Sequence, residues 1–284
     1  MKCNIVTNIT KDDGLKITKI VTSLLDKKNI SYKISEVDFT NNSKISYTSP
    51  DDVDSDSDLV MVIGGDGTLL QTARDLATLD IPMLGINLGI LGYLAEVETD
   101  KIEEAIDLII ENDFRTEPRI MLVGDIYRNG EKIYHDICLN DIVLGRAGNL
   151  RVIDFNIYVN NQFLNKYNAD GVIIATPTGS TAYNLSAGGP ILEPCANIIV
   201  VTPICSHTIG SRSIVLSADS EIKIEVCANR HLNDGFAKLY FDGNSSFVLN
   251  EGDIVEVTKS HLNTKIMKFN KMSFVEVLHK KMNK

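Results

Sequence analysis

Apolar residues follow one spacing up to Pro118 and another after it. Asn4–Asn8 is a short apolar strand, and Lys16–Leu25 carries Ile17, Ile20, Val21, Leu24 and Leu25 at helical spacing. Ser31–Val37 alternates weakly. Asp58–Ile63 becomes a continuous apolar run stopped by Gly64 and Gly65, the pattern of a strand buried on both faces of a parallel sheet. The pattern predicts a helix over Gly67–Leu79, a strand over Ile81–Ile86 and a helix over Lys101–Ile110, with Ile102, Ala105, Ile106 and Ile109 on one face. Strand alternating with helix predicts a doubly wound α/β domain with a parallel, Rossmann-like sheet over residues 1–118.

Beyond Pro118 the helical period disappears. Ile120–Tyr127 and Lys132–Cys138 flank Asn129-Gly130, a strong hairpin signal, and Val152–Val159 and Gln162–Tyr167 flank Asn160-Asn161. In Glu221–Val226 the residues Ile222, Ile224 and Val226 face one way and Glu221, Lys223 and Glu225 the other. Lys238–Phe241, Ser246–Leu249 and Ile254–Thr258 are separated by Asp242-Gly243 and Glu251-Gly252. Short strands with glycine-marked turns predict an all-β domain over residues 119–259. The tail, 260–284, turns to strand-then-helix character and is expected to return to the first domain.

Composition narrows the class. The 284 residues are 44% hydrophobic and 23% charged, enough for a packed core. Lys plus Arg is 28 and Asp plus Glu is 38, a formal charge of −10. So acidic a chain has no general attraction for nucleic acid, and any phosphate it binds is held by a local arrangement. No apolar run approaches the roughly 18 residues of a membrane helix, and the N-terminus has no signal-peptide core. Cys3, Cys138, Cys195, Cys205 and Cys227 are scattered, without a CxxC pair, which fits free thiols in a reducing cytoplasm.

Three places depart from what packing requires. Gly64-Gly65-Asp66-Gly67-Thr68 lies between an apolar strand and a helix, where glycine lets backbone N–H groups approach an anion. It lacks the ending of a Walker A loop and is no dinucleotide fingerprint. Asp66 is either a turn former before glycine or a carboxylate that accepts a proton from an attacking hydroxyl or holds Mg²⁺. Asp170–Pro190 runs a strand into a loop with Thr176, Thr178, Ser180, Thr181 and Ser186, then a short helix near Thr181–Ala187. These are more hydroxyls than one helix cap needs, and Tyr183 offers a flat face to a base. Asn140-Asp141 and Asp242-Gly243 follow apolar strands, as ordinary turns or as site residues. The acidic run Asp51, Asp52, Asp54, Asp56, Asp58 reads as a solvated loop rather than a cation site, and His207 as a structural histidine.

GGDGT at Gly64–Thr68, NLGILGYL at Asn87–Leu94, LND at Leu139–Asp141, TPTGSTAYNLSAGGP at Thr176–Pro190, TPICSHTIGSRSIV at Thr202–Val215 and FDG at Phe241–Gly243 together resemble the NAD kinase family, in its order. GGDGT alone is shared with lipid kinases and nearly so with phosphofructokinases; the Asp170–Pro190 segment makes the resemblance specific. The departures are Asp141 where the family usually has Glu, Asn168 where many members carry a basic residue, and Ser206 and Ser213 for prolines.

The resemblance implies transfer of the γ-phosphoryl group of ATP, in some members of polyphosphate, to the adenosine 2′-hydroxyl of NAD, giving NADP, with Mg²⁺ required. It implies Asp66 as the residue that polarises or deprotonates the hydroxyl, and Gly64, Gly65, Gly67 and Thr68 as the phosphate loop. Asn140 and Asp141 would hold the nicotinamide ribose, while Thr181, Ala182, Tyr183 and Ser186 would line the base pockets. Asp170 and Asp242 would sit at the dinucleotide site, Asp242 towards a neighbouring subunit's. No direct protein ligand to the metal is expected. The family pattern also implies a homodimer or homotetramer in the cytoplasm, with no nucleic-acid or membrane partner. Two other readings remain at this stage. A lipid or sugar kinase would share only the glycine loop, and a non-catalytic dinucleotide sensor would have no need of Asp66.

Overall fold

The computed structural model describes residues 1–39, 46–89, 92–148, 152–207, 210–227, 237–269 and 273–282. Ile90 and Leu91 of the Asn87–Leu94 motif, and Thr208 and Ile209 of the Thr202–Val215 motif, lie outside them. The chain forms two compact units, one made of Met1–Arg119 with Leu262–Lys284 and the other of Ile120–His261.

In the first unit, β1 (Lys2–Asn8), β2 (Ser31–Val37), β3 (Leu59–Gly64) and β4 (Met83–Asn87) form a parallel sheet in the order β4-β3-β1-β2. The short β5 (Val97–Glu98) pairs with β4. Every residue of β3 is buried, as a strand covered on both faces must be. Helices α1 (Lys16–Lys27) and α3 (Ile102–Ile110) bury Val21, Leu25, Ile102 and Ile106 in one core with Ile5, Met61, Ile63 and Ile86. Helix α2 (Asp66–Asp75) begins two residues after β3 ends. It stops earlier than the apolar spacing suggests, because Ala77–Leu79 tightens into a 3₁₀ turn and Asp80 takes a left-handed conformation.

The second unit is all β. β6 (Arg115–Arg128) and β7 (Glu131–Cys138) form the first hairpin, with Asn129 and Gly130 both at positive φ. β8 (Asp141–Arg146), β9 (Ile153–Val159), β10 (Gln162–Ala169) and β11 (Gly171–Ala175) follow. Asn160 (φ 50°) and Asn161 (φ 62°) close the β9–β10 hairpin, asparagine tolerating the left-handed turn that matches strand twist. After the short helix α4 (Tyr183–Ser186) come β12 (Ile198–Ile204), β13 (Ile214–Ser217), β14 (Ile222–Val226), β15 (Ala237–Phe241), β16 (Ser245–Leu249) and β17 (Ile254–Lys268).

One antiparallel sheet of this unit has the order β13-β12-β11-β8-β15-β16, and a second pairs β10, β9, β14 and the first part of β17. One core joins Ile142, Leu144, Val172, Ile174, Leu239 and Phe241 with Ile153, Phe155, Ile157, Ile224 and Val255. The other face of the six-stranded sheet buries Val143, Ile173, Ala175 and Val200 with Leu192. The end of β17 belongs to the first unit, where Ile266 pairs in parallel with Met83, and α5 (Phe274–Met282) follows. The architecture is an α/β domain with parallel strands and an all-β domain.

Candidate functional site

The glycine loop is built by the end of β3. A Cβ on Gly64 would overlap the Thr68 side chain, so only glycine lets the loop close onto the first turn of α2. Gly65 is extended and precedes the helix, and Gly67 faces open space. Thr68 is 2% exposed and its Oγ1 accepts a hydrogen bond from Asn8 Nδ2 at 2.9 Å. Its hydroxyl therefore braces the loop against β1. Asp66 opens α2, where a negative charge is favoured by the helix dipole. Its carboxylate accepts backbone N–H bonds from Tyr93 (2.6 Å), Ala95 (3.0 Å) and Leu94 (3.3 Å). A Cβ on Gly92 would coincide with that carboxylate. Sequence reasoning singled out Asp66 but not the residues that hold it; the Gly92-Tyr93-Leu94 stretch of the second motif was the available signal.

In the second unit, Asn140, Asp141, Asp170, Ala182, Tyr183 and Asp242 line one cavity of about 660 Å³, a size that suits a nucleotide-sized ligand. Asp242 has φ 50°, and its carboxylate gathers the N–H groups of Asn140 (2.7 Å), Leu139 (2.9 Å) and Asp141 (3.1 Å). It thereby sets the backbone from which Asn140 and Asp141 project. Asp141 is 5% exposed, and its carboxyl has no hydrogen-bond partner among the described residues. Burial, with the nearby charge of Asp242 adding to it, pushes the Asp141 carboxyl up to about 7. Asp170 is fixed differently, paired with Arg146 through Nε at 3.0 Å. Arg146 also lines the cavity and was not anticipated from the sequence.

The Thr176–Pro190 segment is folded by its own polar groups. Thr176 Oγ1 donates to the Leu139 carbonyl (2.6 Å), and Ser180 Oγ donates to that of Pro177 (2.6 Å). Asn184 is fully buried; its Nδ2 donates to the carbonyls of Pro190 (2.9 Å) and Ser180 (3.1 Å), and its Oδ1 accepts from Thr202 Oγ1 (2.7 Å). Much of the surplus of hydroxyls is thus spent on shaping the loop. Ala182 and Tyr183 face the cavity, whereas Thr181 and Ser186 are not among its lining residues. Thr181 Oγ1 instead bonds the Thr178 carbonyl at 3.3 Å, and Ser186 is exposed. Tyr183 is 46% exposed, its ring open to a ligand.

Other sequence candidates have structural employment. The His207 amide donates to the Asn168 carbonyl, and Asn168 Nδ2 donates to Asp154. In the acidic run, Asp54 and Asp56 pair with Lys2. Among the described residues no three His, Cys, Asp or Glu side chains gather to hold a metal ion.

The chain matches two family models, the ATP-NAD kinase N-terminal domain over residues 4–114 and the ATP-NAD kinase C-terminal domain over residues 139–269. It is 43% identical to an NAD kinase of Lachnospira eligens, over 98% of each chain. An NAD kinase of Agathobacter rectalis is 41% identical, over 98% of this chain and 97% of the relative. Two solved structures share the fold. A yeast NADH kinase complexed with NADH has a TM-score of 0.83 at 22% identity, over 100% of this chain and 88% of the yeast one. An Archaeoglobus fulgidus NAD kinase in complex with ATP has a TM-score of 0.76 at 23% identity, over 100% and 99%.

Proposed function

Since the chain belongs to the NAD kinase family and is an enzyme that phosphorylates NAD to NADP with ATP as donor, we propose that Asp66 is the group that takes the proton from the adenosine 2′-hydroxyl. The observation that carries this reading is the fixed carboxylate of Asp66, held by three backbone amides at the head of α2. A carboxylate so held cannot swing away, and it keeps lone-pair capacity for a hydroxyl. The 2′-oxygen forms a bond to the γ-phosphorus as the bond from that phosphorus to the ADP oxygen breaks. The hydroxyl proton passes to Asp66, and ADP leaves with the bond's electrons. Phosphoryl transfer asks a protein mainly for positioning and charge stabilisation, and the glycine loop supplies close backbone donors.

In this reading the second unit's cavity takes the dinucleotide. Asn140 and Asp141 face its ribose, Tyr183 stacks on a base, and Ala182 and Asp170 border it. Asp242 acts by holding the Leu139–Asp141 backbone. Ser186 ends the helix that presents Tyr183, and Thr181 closes the turn just before it. Mg²⁺ would be carried on the phosphates of ATP, with no direct protein ligand to it expected. Copies of the chain are expected to associate as a homodimer or homotetramer.

The test is NADP formation from NAD, ATP and Mg²⁺ by the purified protein, read through an NADP-specific dehydrogenase, beside Asp66→Asn. The variant is expected to bind NAD normally and to lose roughly 10²–10⁴ in turnover, the usual range for a general base. Near wild-type turnover in Asp66→Asn removes the residue from the chemistry. Tight NAD binding with no NADP from either ATP or polyphosphate would make the chain a dinucleotide sensor.

A further inference from the structure

Residue 11 lies outside every motif that pointed to the glycine loop, yet the fold delivers it there. Asn8, at the end of β1, organises the turn that follows. Its Oδ1 accepts from the hydroxyl (2.6 Å) and the amide (3.1 Å) of Thr10, and its carbonyl accepts from the amides of Asp12 (2.9 Å) and Lys11 (3.0 Å). The Asn8 amide nitrogen meanwhile donates to Thr68, inside the loop. One side chain therefore stitches the β1 turn to the start of α2. The Lys11 ammonium comes to rest 3.0 Å from where a Cβ on Gly65 would sit, over the face that this glycine leaves bare.

The charges around Lys11 do not answer it. Lys2, Lys16, Lys28, Lys265 and Lys268 of the same unit each face a carboxylate. Lys11 has no ion pair and its ammonium no hydrogen bond among the described residues. The adjacent Asp12 is turned inward, its carboxylate accepting from Thr18 Oγ1 (2.6 Å) and from the amides of Ile17 and Thr18 (both 2.9 Å). Asp13 leans to Lys16, and Asp66 is taken by Tyr93–Ala95. In a chain of net charge −10, an unanswered cation beside a glycine loop has a ligand's negative charge as its natural complement.

We propose that Lys11 binds the phosphates of the phosphoryl donor, its ammonium neutralising charge on the polyphosphate chain of ATP while the glycine loop's amides take the oxygens. The proposal rests on the kinase reading and adds a donor-binding residue to it. Lys11 neither gives nor takes a proton in the reaction. NAD carries phosphates too, and the experiment separates the two sources.

The test compares wild type, Lys11→Gln and Lys11→Arg for steady-state constants with each substrate varied, for Mg-ATP binding by calorimetry, and for thermal unfolding. Losing a charge-assisted bond predicts a rise of about 10- to 100-fold in KM for ATP and in the ATP dissociation constant for Lys11→Gln. The KM for NAD should stay within about 2-fold, Lys11→Arg should recover most of the loss, and the melting temperature should not move. A KM effect confined to NAD assigns Lys11 to the dinucleotide and overturns the proposal. Unchanged constants for ATP overturn it as well. Should the wild type make no NADP, the kinase reading fails, whereas calorimetry with Mg-ATP still tests Lys11 by itself.

Discussion

The carboxylate of Asp66 occupies the space that a side chain at residue 92 would need, so Gly92 is the empty socket of the proposed base. Alanine there must displace either Asp66 or the Tyr93–Ala95 amides that hold it. Gly92→Ala is expected to lower turnover at least about 10²-fold, in the range of losing the base itself. NAD affinity should change little, because the cavity proposed for the dinucleotide is lined by residues of the other unit. Steady-state rates beside equilibrium NAD binding check this, and full activity in Gly92→Ala would show that Asp66 does not need its amide cradle.

Asp242 satisfies three amides at Leu139, Asn140 and Asp141 with one carboxylate. Asp242→Ala leaves those donors unpaired, at a cost of about 1–3 kcal/mol for each that no water reaches. The expected outcome is a lower urea midpoint together with NAD binding weakened at least about 10-fold, since Asn140 and Asp141 lose their backbone frame. Weakened binding at unchanged stability would point to direct contact with the ligand.

Asp141 gives the protein a stability that depends on pH. Its carboxyl titrates near 7 in the folded chain against about 3.9 when unfolded, so between these values the native form holds the extra proton. Stability therefore falls as pH rises from about 4 to about 7 and levels off above it. Asp141→Asn removes the ionisation, and its melting temperature should gain on the wild type progressively from pH 5 to pH 8. A difference between the two proteins that stays constant over that range would mean Asp141 ionises normally.

Asn184 is a buried junction of the loop after β11, with three hydrogen bonds and no exposed surface. Asn184→Ala opens a cavity and leaves Thr202 and two carbonyls with fewer partners. Destabilisation of about 2–4 kcal/mol is expected by denaturant unfolding. A variant as stable as wild type would show that water replaces the side chain.

The elements were legible where burial alone sets the pattern. Strand β3 reads as an unbroken apolar run because it is covered on both faces, and β14 alternates because one face is buried. The asparagine turns were legible because few other residues adopt positive φ. Strand lengths were less so. β6 begins at Arg115 and β17 extends unbroken to Lys268, since backbone pairing continues through polar stretches that carry no apolar rhythm. At the site, Asp66, Asn140 and Asp141 stood out as carboxylates and amides where packing does not ask for them. What Asp242 does was not legible, because its partners lie a hundred residues away and are backbone amides, which every residue has. Lys11 was hidden for a similar reason: nothing local distinguishes it from the other surface lysines.

The α/β unit is assembled from both ends of the chain, with the β unit inserted between them. During synthesis, residues 1–119 leave the ribosome long before Ile266 can pair with Met83 at the sheet's edge. Until then that side of β4 is covered only at Ile86 and Asn87, by β5, while the inserted β unit, whose strands are nearly all contiguous, can close first. Chains that end just after His261 would therefore carry a complete β unit beside a parallel sheet still open at Met83, a form that chaperones and proteases would recognise by its partly bare edge.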